Sequence, residues 1–192
     1  MSSIIVFIFF FTVLLLINIA DAAQNYVIIN ASSCTDSEGN CQLSNVQSQD
    51  GVTESQAGHQ NAVRFIETVN SNSSAITSSN SIDNVTVYID RFESANPGGQ
   101  TITLQAKRPS DNIAATCTLS SKLTNDSVYD GCDVTTLITG SSTPESDAES
   151  LTISYRVQAL GASNTFYLDH SYVNITYTDS SPPTVILNSP AN

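Results

Sequence analysis

The sequence has few of the residue types that catalyse reactions or bind nucleic acid. Its 192 residues include no tryptophan and two histidines, and six lysines and arginines stand against eighteen aspartates and glutamates, for a formal net charge of −12. An acidic chain lacks the cationic surface that neutralises a phosphate backbone, so we predict that nucleic acid is not a partner. The sequence also contains no phosphate-binding loop, dinucleotide glycine fingerprint, nucleophile elbow or His-Glu-x-x-His motif.

The two histidines do not suggest a catalytic arrangement. His59 lies in a glycine-containing loop, and His170 follows Asp169 just before the last predicted strand. Adjacent strand residues point to opposite faces, so Asp169 would not orient His170 as the acid of a catalytic triad does. We therefore predict that the protein is not an enzyme and has no catalytic residues.

The most apolar segment lies at the N-terminus. It runs from Ile4 to Ala20 and ends in the small-residue triplet Ala20, Asp21, Ala22. This A-x-A ending is typical of a signal peptidase site, so we predict that residues 1–22 form a hydrophobic signal helix that is cleaved after Ala22. The chain would then be secreted or displayed on the cell surface. The usual positively charged segment is missing before the apolar run, and the alternative is an uncleaved membrane anchor.

Four cysteines follow this segment: Cys34, Cys41, Cys117 and Cys132. An even number in an exported chain favours disulfides over free thiols. Three connectivities exist, and we favour Cys34 with Cys41 and Cys117 with Cys132 because each pair closes a short polar segment rich in turn residues. A zinc site is disfavoured because no C-x-x-C motif occurs.

Alternation of apolar and polar residues predicts an all-β fold. The pattern is strict at 84–90, 101–107, 151–157 and 172–177, and weaker strands are predicted at 26–29, 62–69, 113–119 and 134–138. Serine-, asparagine-, glycine- and proline-rich segments at 71–81, 93–100 and 140–149 predict loops. We predict a two-sheet antiparallel β-sandwich of jelly-roll type over residues 23–178, with about eight strands and no amphipathic helix. The predicted inward-facing residues are Val85, Val87, Ile89, Ile102, Leu104, Ala106, Leu151, Ile153, Tyr155, Val157, Val173, Ile175 and Tyr177.

Short motifs suggest glycosylation sites and a metal site. N-x-S/T sequons predict glycosylation candidates at Asn30, Asn72, Asn84, Asn125 and Asn174. Asn84 and Asn174 lie in predicted strands, on the face opposite the apolar residues.

No cofactor is expected, and a calcium site at Asp126, Asp130 and Asp133 beside Cys132 is the alternative to solvated turn aspartates. Asp36, Glu38 and Asn40 do not match the EF-hand spacing, because Gly39 stands in the fourth place of that loop.

Tyrosines provide the one suggestion of a ligand site. Sugar-binding sites usually stack a sugar face on an exposed aromatic ring beside amides and carboxylates. Tyr88 and Tyr172 are predicted on outward faces and Tyr129 in a loop. These three tyrosines are candidates for a sugar-binding platform, and the alternative is that they pack against neighbouring strands.

Several strings resemble those of a jelly-roll domain found in phage, bacterial and archaeal surface proteins. They are Asp50 to Val52, Ser81 to Ile89 and Leu168 to Tyr177, so the resemblance covers Asn45 to Thr178. The chain departs from that pattern at Asn84, where the family often has glycine, and at Thr53, where it often has an aromatic residue. The resemblance implies a structural or adhesive module without shared catalytic residues.

The C-terminal segment resembles the start of another domain. Residues 179–192 contain Pro182 and Pro183 followed by Thr184 to Leu187, which is similar to the linker and first strand of Ig-like repeats in large surface proteins. We therefore predict a secreted or cell-surface, non-enzymatic structural or adhesion module of a multi-domain protein. The alternative is a jelly-roll carbohydrate-binding module. Expected partners are extracellular proteins or glycans, with membrane contact only through the N-terminal segment or a further C-terminal part.

Overall fold

A computed structural model describes residues 24–57, 62–72, 76–95, 100–124, 126, 128–158 and 164–179. This part of the chain folds mainly into antiparallel strands. The strands are β1 (Gln24–Asp36), β2 (Glu54–Ala57), β3 (Val63–Ser71), β4 (Asn80–Glu93), β5 (Thr101–Lys107), β6 (Ala114–Leu119), β7 (Tyr129–Asp133), β8 (Ser150–Gln158) and β9 (Thr165–Asp179). Two short helices, α1 (Thr135–Thr139) and α2 (Pro144–Ala148), lie between β7 and β8. The predicted all-β class is confirmed.

The strands form one nearly closed sheet in the order β6-β5-β8-β3-β1-β9-β4-β7, and β2 pairs with β9. The long strand β1 joins the two halves of this sheet. Its first part, from Gln24 to Asn30, pairs with β9, and its second part, from Ala31 to Asp36, pairs with β3. The pairing with β3 has an irregularity between Ala31 and Ser33, where β1 changes partner. Such irregularities bend a strand, which allows one strand to serve both halves.

Buried polar side chains hold β1 at this change of partner. The side-chain amide of Asn70 on β3 donates hydrogen bonds to the backbone oxygens of Ile29 (3.1 Å) and Ser171 (3.3 Å). The hydroxyl groups of Thr68 and Ser171 are 2.7 Å apart. These bonds connect β3, β1 and β9, and they satisfy polar groups that would otherwise be costly to bury.

The hydrophobic core is formed by the side chains that the alternation places inward. Val85, Val87, Leu104, Leu151 and Tyr155 are fully buried, and the other predicted inward-facing residues are at most 2% exposed, apart from the partly buried Tyr177. The core contains residues from both halves of the sheet. Period-two alternation therefore predicts correctly which side chains fill the interior.

One predicted strand is wrong. Residues 134–138 form most of the short helix α1, because Val134 and Ile138 are both buried at a spacing of one helical turn. Before it, the carboxylate of Asp133 accepts a hydrogen bond from the backbone nitrogen of Thr135 at 2.9 Å, a turn that ends β7. The predicted loop over 140–149 contains α2, which begins at Pro144, a residue suited to the first turn of a helix.

Two strands were not predicted. Strand β2 is polar and four residues long, and β7 contains Gly131 and Cys132 within a segment rich in turn residues. Neither has the apolar alternation that predicts a strand.

Both favoured disulfides are present. Cys34 pairs with Cys41 and Cys117 with Cys132, with Cα–Cα distances of 5.7 Å and 5.9 Å. The second bond joins β6 to β7, the two strands at the ends of the sheet path. Within the described residues no ladder of hydrogen bonds joins β6 to β7, and the disulfide connects these two strands instead.

Some predictions fall on residues outside the described ranges. These are the signal segment 1–22, His59, the sequon asparagine Asn125, and the proline-containing segment from residue 180 onward. Among the helices of the described ranges, none is long and apolar enough to cross a membrane.

Candidate functional site

The three candidate tyrosines lie together on the outer face of the sheet. Tyr88 on β4 pairs with Tyr172 on β9, and Tyr129 on β7 pairs with Asp90 on β4, which in turn pairs with His170 on β9. Side chains directly opposite each other in antiparallel strands lie on the same face. We call the cluster of Tyr88, Tyr129, His170 and Tyr172 the tyrosine face.

The rings of the tyrosine face contact each other closely. Tyr88 and Tyr172 stack with ring centroids 5.0 Å apart and planes 19° from parallel. Tyr129 meets Tyr172 edge to face at 5.1 Å, and the His170 ring lies 5.3 Å from Tyr172. These are the offset and T-shaped geometries that aromatic rings prefer. The rings are partly buried and form one continuous aromatic surface.

Hydrogen bonds fix the position of His170 in this cluster. The hydroxyl group of Tyr129 lies 2.7 Å from His170 Nδ1, and His170 Nε2 lies 3.4 Å from Oδ1 of Asn30 on β1. Asn30 is exposed and pairs with Tyr172. An exposed amide therefore borders the rings on the β1 side.

The loop before β2 borders the face near His170. Gln47 forms a β-bridge with His170, and Gln49 donates a hydrogen bond from its side-chain amide to the carboxylate of Asp90 at 2.8 Å. Asp90 is fully buried, whereas Gln47 and Gln49 are exposed. The carboxylate thus positions an amide at the surface and is itself out of reach of a ligand.

Gly131 makes room for the Tyr88 ring. Gly131 pairs with Tyr88, and a Cβ atom at this position would lie 2.9 Å from Cε1 of that ring. A side chain here would displace the ring, so glycine allows Tyr88 to lie against β7. The absence of a side chain at this position is part of how the face is built.

The surroundings keep Tyr129, Tyr172 and His170 uncharged at neutral pH. Burial, together with the Asp90 carboxylate, raises the pKa of Tyr129 to about 12. Burial also raises the pKa of Tyr172 and lowers the pKa of His170, an effect that Asp90 partly opposes. At neutral pH these three side chains are therefore neutral rings with hydroxyl and imidazole groups at their edges. Such a surface suits an uncharged ligand with both apolar faces and hydroxyl groups.

A second polar cluster lies in the interior and has a different character. Arg91 forms ion pairs with Glu93 and, at 2.7 Å, with Asp130, and it donates a hydrogen bond to the backbone oxygen of Ser120 at 2.6 Å. Tyr155 donates a hydrogen bond to Glu93, and the Arg91 guanidinium lies 5.5 Å from the Tyr155 ring centroid. Arg91 is 1% exposed and Glu93 and Tyr155 are 0% exposed.

This interior cluster fastens the segment after β6 to β4. The Glu93 carboxylate accepts a hydrogen bond from the backbone nitrogen of Lys122 at 2.6 Å, and the Glu93 backbone nitrogen donates to the Lys122 backbone oxygen at 2.7 Å. Burial and the nearby Glu93 raise the pKa of Tyr155 well above its ordinary value, so this hydroxyl stays protonated. The geometry is that of a structural clamp.

The three calcium candidates do not lie together. Asp126 pairs with Lys122 at 2.8 Å, Asp130 pairs with Arg91, and Asp133 accepts hydrogen bonds from Thr135. Asp130 and Asp133 also lie on opposite faces of β7, because their positions differ by three and side chains alternate along a strand. Within the described ranges, no group of three or more metal-ligating side chains is arranged to hold an ion.

The sequons differ in how open their side chains are. Asn30 and Asn72 are exposed, whereas Asn84 and Asn174 are partly buried. Asn30, Asn84 and Asn174 all lie on the outer face of the sheet, because Asn84 pairs with Thr176 and Asn174 pairs with Ile28 and Thr86. Asn84 and Asn174 lie on the face opposite the buried Val85 and Val173.

The strand patterns of the sequence do not predict that Asn30, Gln49, Asp90 and His170 lie beside the tyrosines. Parity alone places Asp90 on the same face as Tyr88, and His170 on the same face as Tyr172. The pairing of β1 with β9 and the path of the loop before β2 are not readable from single strands. They bring Asn30 and Gln49 to the face.

The tyrosine face therefore combines aromatic rings from three strands with exposed amides at two borders. No protein-family model and no curated protein matches this chain.

Proposed function

We propose that this chain is a secreted or cell-surface adhesion module that binds carbohydrate through the tyrosine face. The observation that carries this proposal is the joining of Tyr88, Tyr129 and Tyr172, from three different strands, into one surface bordered by the exposed amides of Asn30 and Gln49. Aromatic rings stack on the apolar face of a sugar ring, and amides exchange hydrogen bonds with its hydroxyl groups.

The remaining parts of the proposal follow from the sequence and agree with the fold. Residues 1–22 direct export, and two disulfides suit an oxidising compartment. The two halves of the sheet pack as the layers of a jelly-roll-type sandwich, with β1 shared between them. The module is non-enzymatic, binds no cofactor, and is joined through the segment from residue 179 onward to an Ig-like repeat of a larger surface protein.

The test is binding of oligosaccharides to the full chain, produced with its disulfides formed and without attached glycans. An array of defined oligosaccharides identifies the ligand, and titration calorimetry with that oligosaccharide measures the affinity. Tyr88→Ala and Tyr172→Ala should each weaken binding at least about fivefold, which corresponds to about 1 kcal/mol for an aromatic anchor.

The matched control is Tyr26→Ala. Tyr26 is a 74% exposed tyrosine on the same outer face, but it pairs with Thr176, four residues along β9 from Tyr172. This variant should bind as the unmodified chain does. If no oligosaccharide on the array binds, or if the three variants lose affinity equally, the carbohydrate proposal is wrong and the chain is a structural spacer.

A further inference from the structure

Asn30 is placed beside the open side of the tyrosine face. It lies directly opposite Tyr172 in the β1–β9 ladder, so both side chains lie on the outer face. Tyr88 stacks on the other side of Tyr172, since the β4–β9 ladder pairs these two residues. Tyr172 therefore lies between a ring on the β4 side and the Asn30 amide on the β1 side.

The Asn30 side chain lies at the surface and contacts His170. Its oxygen faces His170 Nε2 at 3.4 Å, which leaves the nitrogen as the atom turned away from this contact. Residues 30–32 form the sequon Asn-Ala-Ser, and both Asn30 and Ser32 are exposed.

The other two sequons on this face are less open. The Asn84 side-chain nitrogen donates to Thr135 Oγ1 at 3.2 Å, and its oxygen accepts from Thr86 Oγ1 at 2.9 Å. Asn174 is partly buried between Ile28 and Thr86. Asn30 is therefore the most accessible acceptor next to the rings.

We propose that Asn30 carries an N-linked glycan whose first sugar packs against the Tyr172 ring and covers the tyrosine face. This inference deepens the proposed function and rests on it, since the chain's own sugar occupies the surface that binds carbohydrate. The ligand chemistry of the face is then that of an N-acetylhexosamine, and glycosylation at Asn30 decides whether the face is open.

The modification is a transfer from a lipid-linked diphosphate oligosaccharide during export. The side-chain nitrogen of Asn30 loses a proton and forms a bond to C1 of the first sugar. The bond between C1 and the diphosphate oxygen breaks, and the lipid diphosphate leaves with that electron pair. No oxidant or reductant is needed.

The experiment uses the full chain secreted from a eukaryotic cell line that attaches high-mannose glycans. Glycopeptide mass spectrometry should find Asn30 occupied. After trimming to a single N-acetylglucosamine, the melting temperature is compared with those of Asn30→Gln and Ser32→Ala, which both prevent the attachment. Each should melt about 2–4 °C lower, the shift expected when one aromatic contact is lost in a chain of this size.

Tyr172→Ala completes a double-mutant cycle. In that background, Asn30→Gln should no longer lower the melting temperature, because the ring that the sugar contacts is gone. Ser32→Ala should lower it only by the loss of the hydrogen bond that the Ser32 hydroxyl donates to the Val69 backbone oxygen at 2.8 Å. Asn72→Gln is the matched control, since Asn72 is an exposed sequon just after β3, and its effect should be the same with and without Tyr172. An unoccupied Asn30, or an equal loss in both backgrounds, overturns the proposal.

Ligand binding separates this inference from the proposed function. The secreted glycosylated chain should bind the array oligosaccharide at least about fivefold more weakly than Ser32→Ala, about 1 kcal/mol, since Ser32→Ala lacks the glycan but keeps the Asn30 amide beside the rings. If neither form binds, the proposed function fails, while the melting cycle still decides whether the glycan packs on Tyr172. If both bind equally and the cycle shows no coupling, the glycan inference fails and the proposed function stands.

Discussion

Removal of the Cys117–Cys132 disulfide tests how the sheet closes. This bond joins β6 and β7, the two ends of the sheet path, and its cysteines are 15 residues apart in sequence. Loop-closure entropy assigns about 3 kcal/mol to a loop of this length. Cys117→Ala with Cys132→Ala should therefore lower the melting temperature by about 6–12 °C, at about 2–4 °C per kcal/mol.

The Cys34–Cys41 bond is the internal comparison. Its cysteines are 7 residues apart, which corresponds to about 2.3 kcal/mol of loop-closure entropy. If only the entropy of the unfolded state counted, the free energies of unfolding of the two double variants should differ by less than about 1 kcal/mol. The structure predicts a larger loss of stability for the Cys117–Cys132 variant. Cys34 lies on β1, which stays paired with β3 when the Cys34–Cys41 bond is lost. In the described part of the chain, β6 and β7 each have one ladder partner, so each is held less firmly.

The assay is thermal unfolding together with hydrogen exchange of backbone amides. Loss of Cys117–Cys132 should speed exchange in β6 and β7 more than in β3 or β8, because each end strand can then open separately. If exchange in β6 and β7 does not change, or if removing Cys34–Cys41 destabilises the chain more, the disulfide does not close the sheet as we reason.

Three further predictions concern single positions. Arg91→Met leaves the Glu93 carboxylate buried without its cation and should cost about 3–5 kcal/mol in urea unfolding, more than Arg91→Met combined with Glu93→Gln. Gly131→Ala should displace the Tyr88 ring and weaken oligosaccharide binding, measured by calorimetry, while the circular dichroism spectrum is unchanged. Burial lowers the pKa of His170 below its ordinary 6.5, so the unfolded state binds more protons just below that pH and stability should fall as the pH decreases through 6.5. His170→Gln should lose this part of the pH dependence in thermal melts, and an unchanged slope would count against the burial of the imidazole.

The sequence predicts the interior well because burial acts on each strand separately. Val85, Val87 and Ile89 alternate with polar residues whichever strand lies beside them, so a period of two identifies the inward face. The same holds for Ile153 and Tyr155. Local pairing of cysteines is also predictable, since a short polar segment brings Cys34 close to Cys41 in any compact arrangement.

Features that depend on which strands are neighbours are not predictable in this way. Strand β7 exists because β4 offers it a ladder from Thr86 to Asp90, although its own residues favour a turn. Residues 134–138 are apolar enough for a strand, but β7 ends at Asp133 and the next turn buries Val134 and Ile138 on one side of a helix. Tertiary context decides both cases.

In the candidate site, too, features set within one strand are predictable and features that depend on neighbouring strands are not. Alternation within each strand predicts that Tyr88 faces outward and that Tyr172 faces outward. Each prediction is independent of the other, so it does not show that the two rings meet. Their stacking needs the β4–β9 register, and Asn30 joins them through the β1–β9 register. Single-strand patterns contain neither register.

The pairing of β1 with β9 has a consequence for the order of events during synthesis and folding. Gln24 in the first strand lies opposite Thr178 in the last, so this ladder joins residues separated by nearly the whole described chain. Contacts between such distant residues form slowly. A nascent chain must keep β1 unpaired along that edge until β9 has been synthesised. During this interval the backbone groups of β1 and the side chain of Ile29, which is 2% exposed in the folded chain, are open to aggregation or to a chaperone.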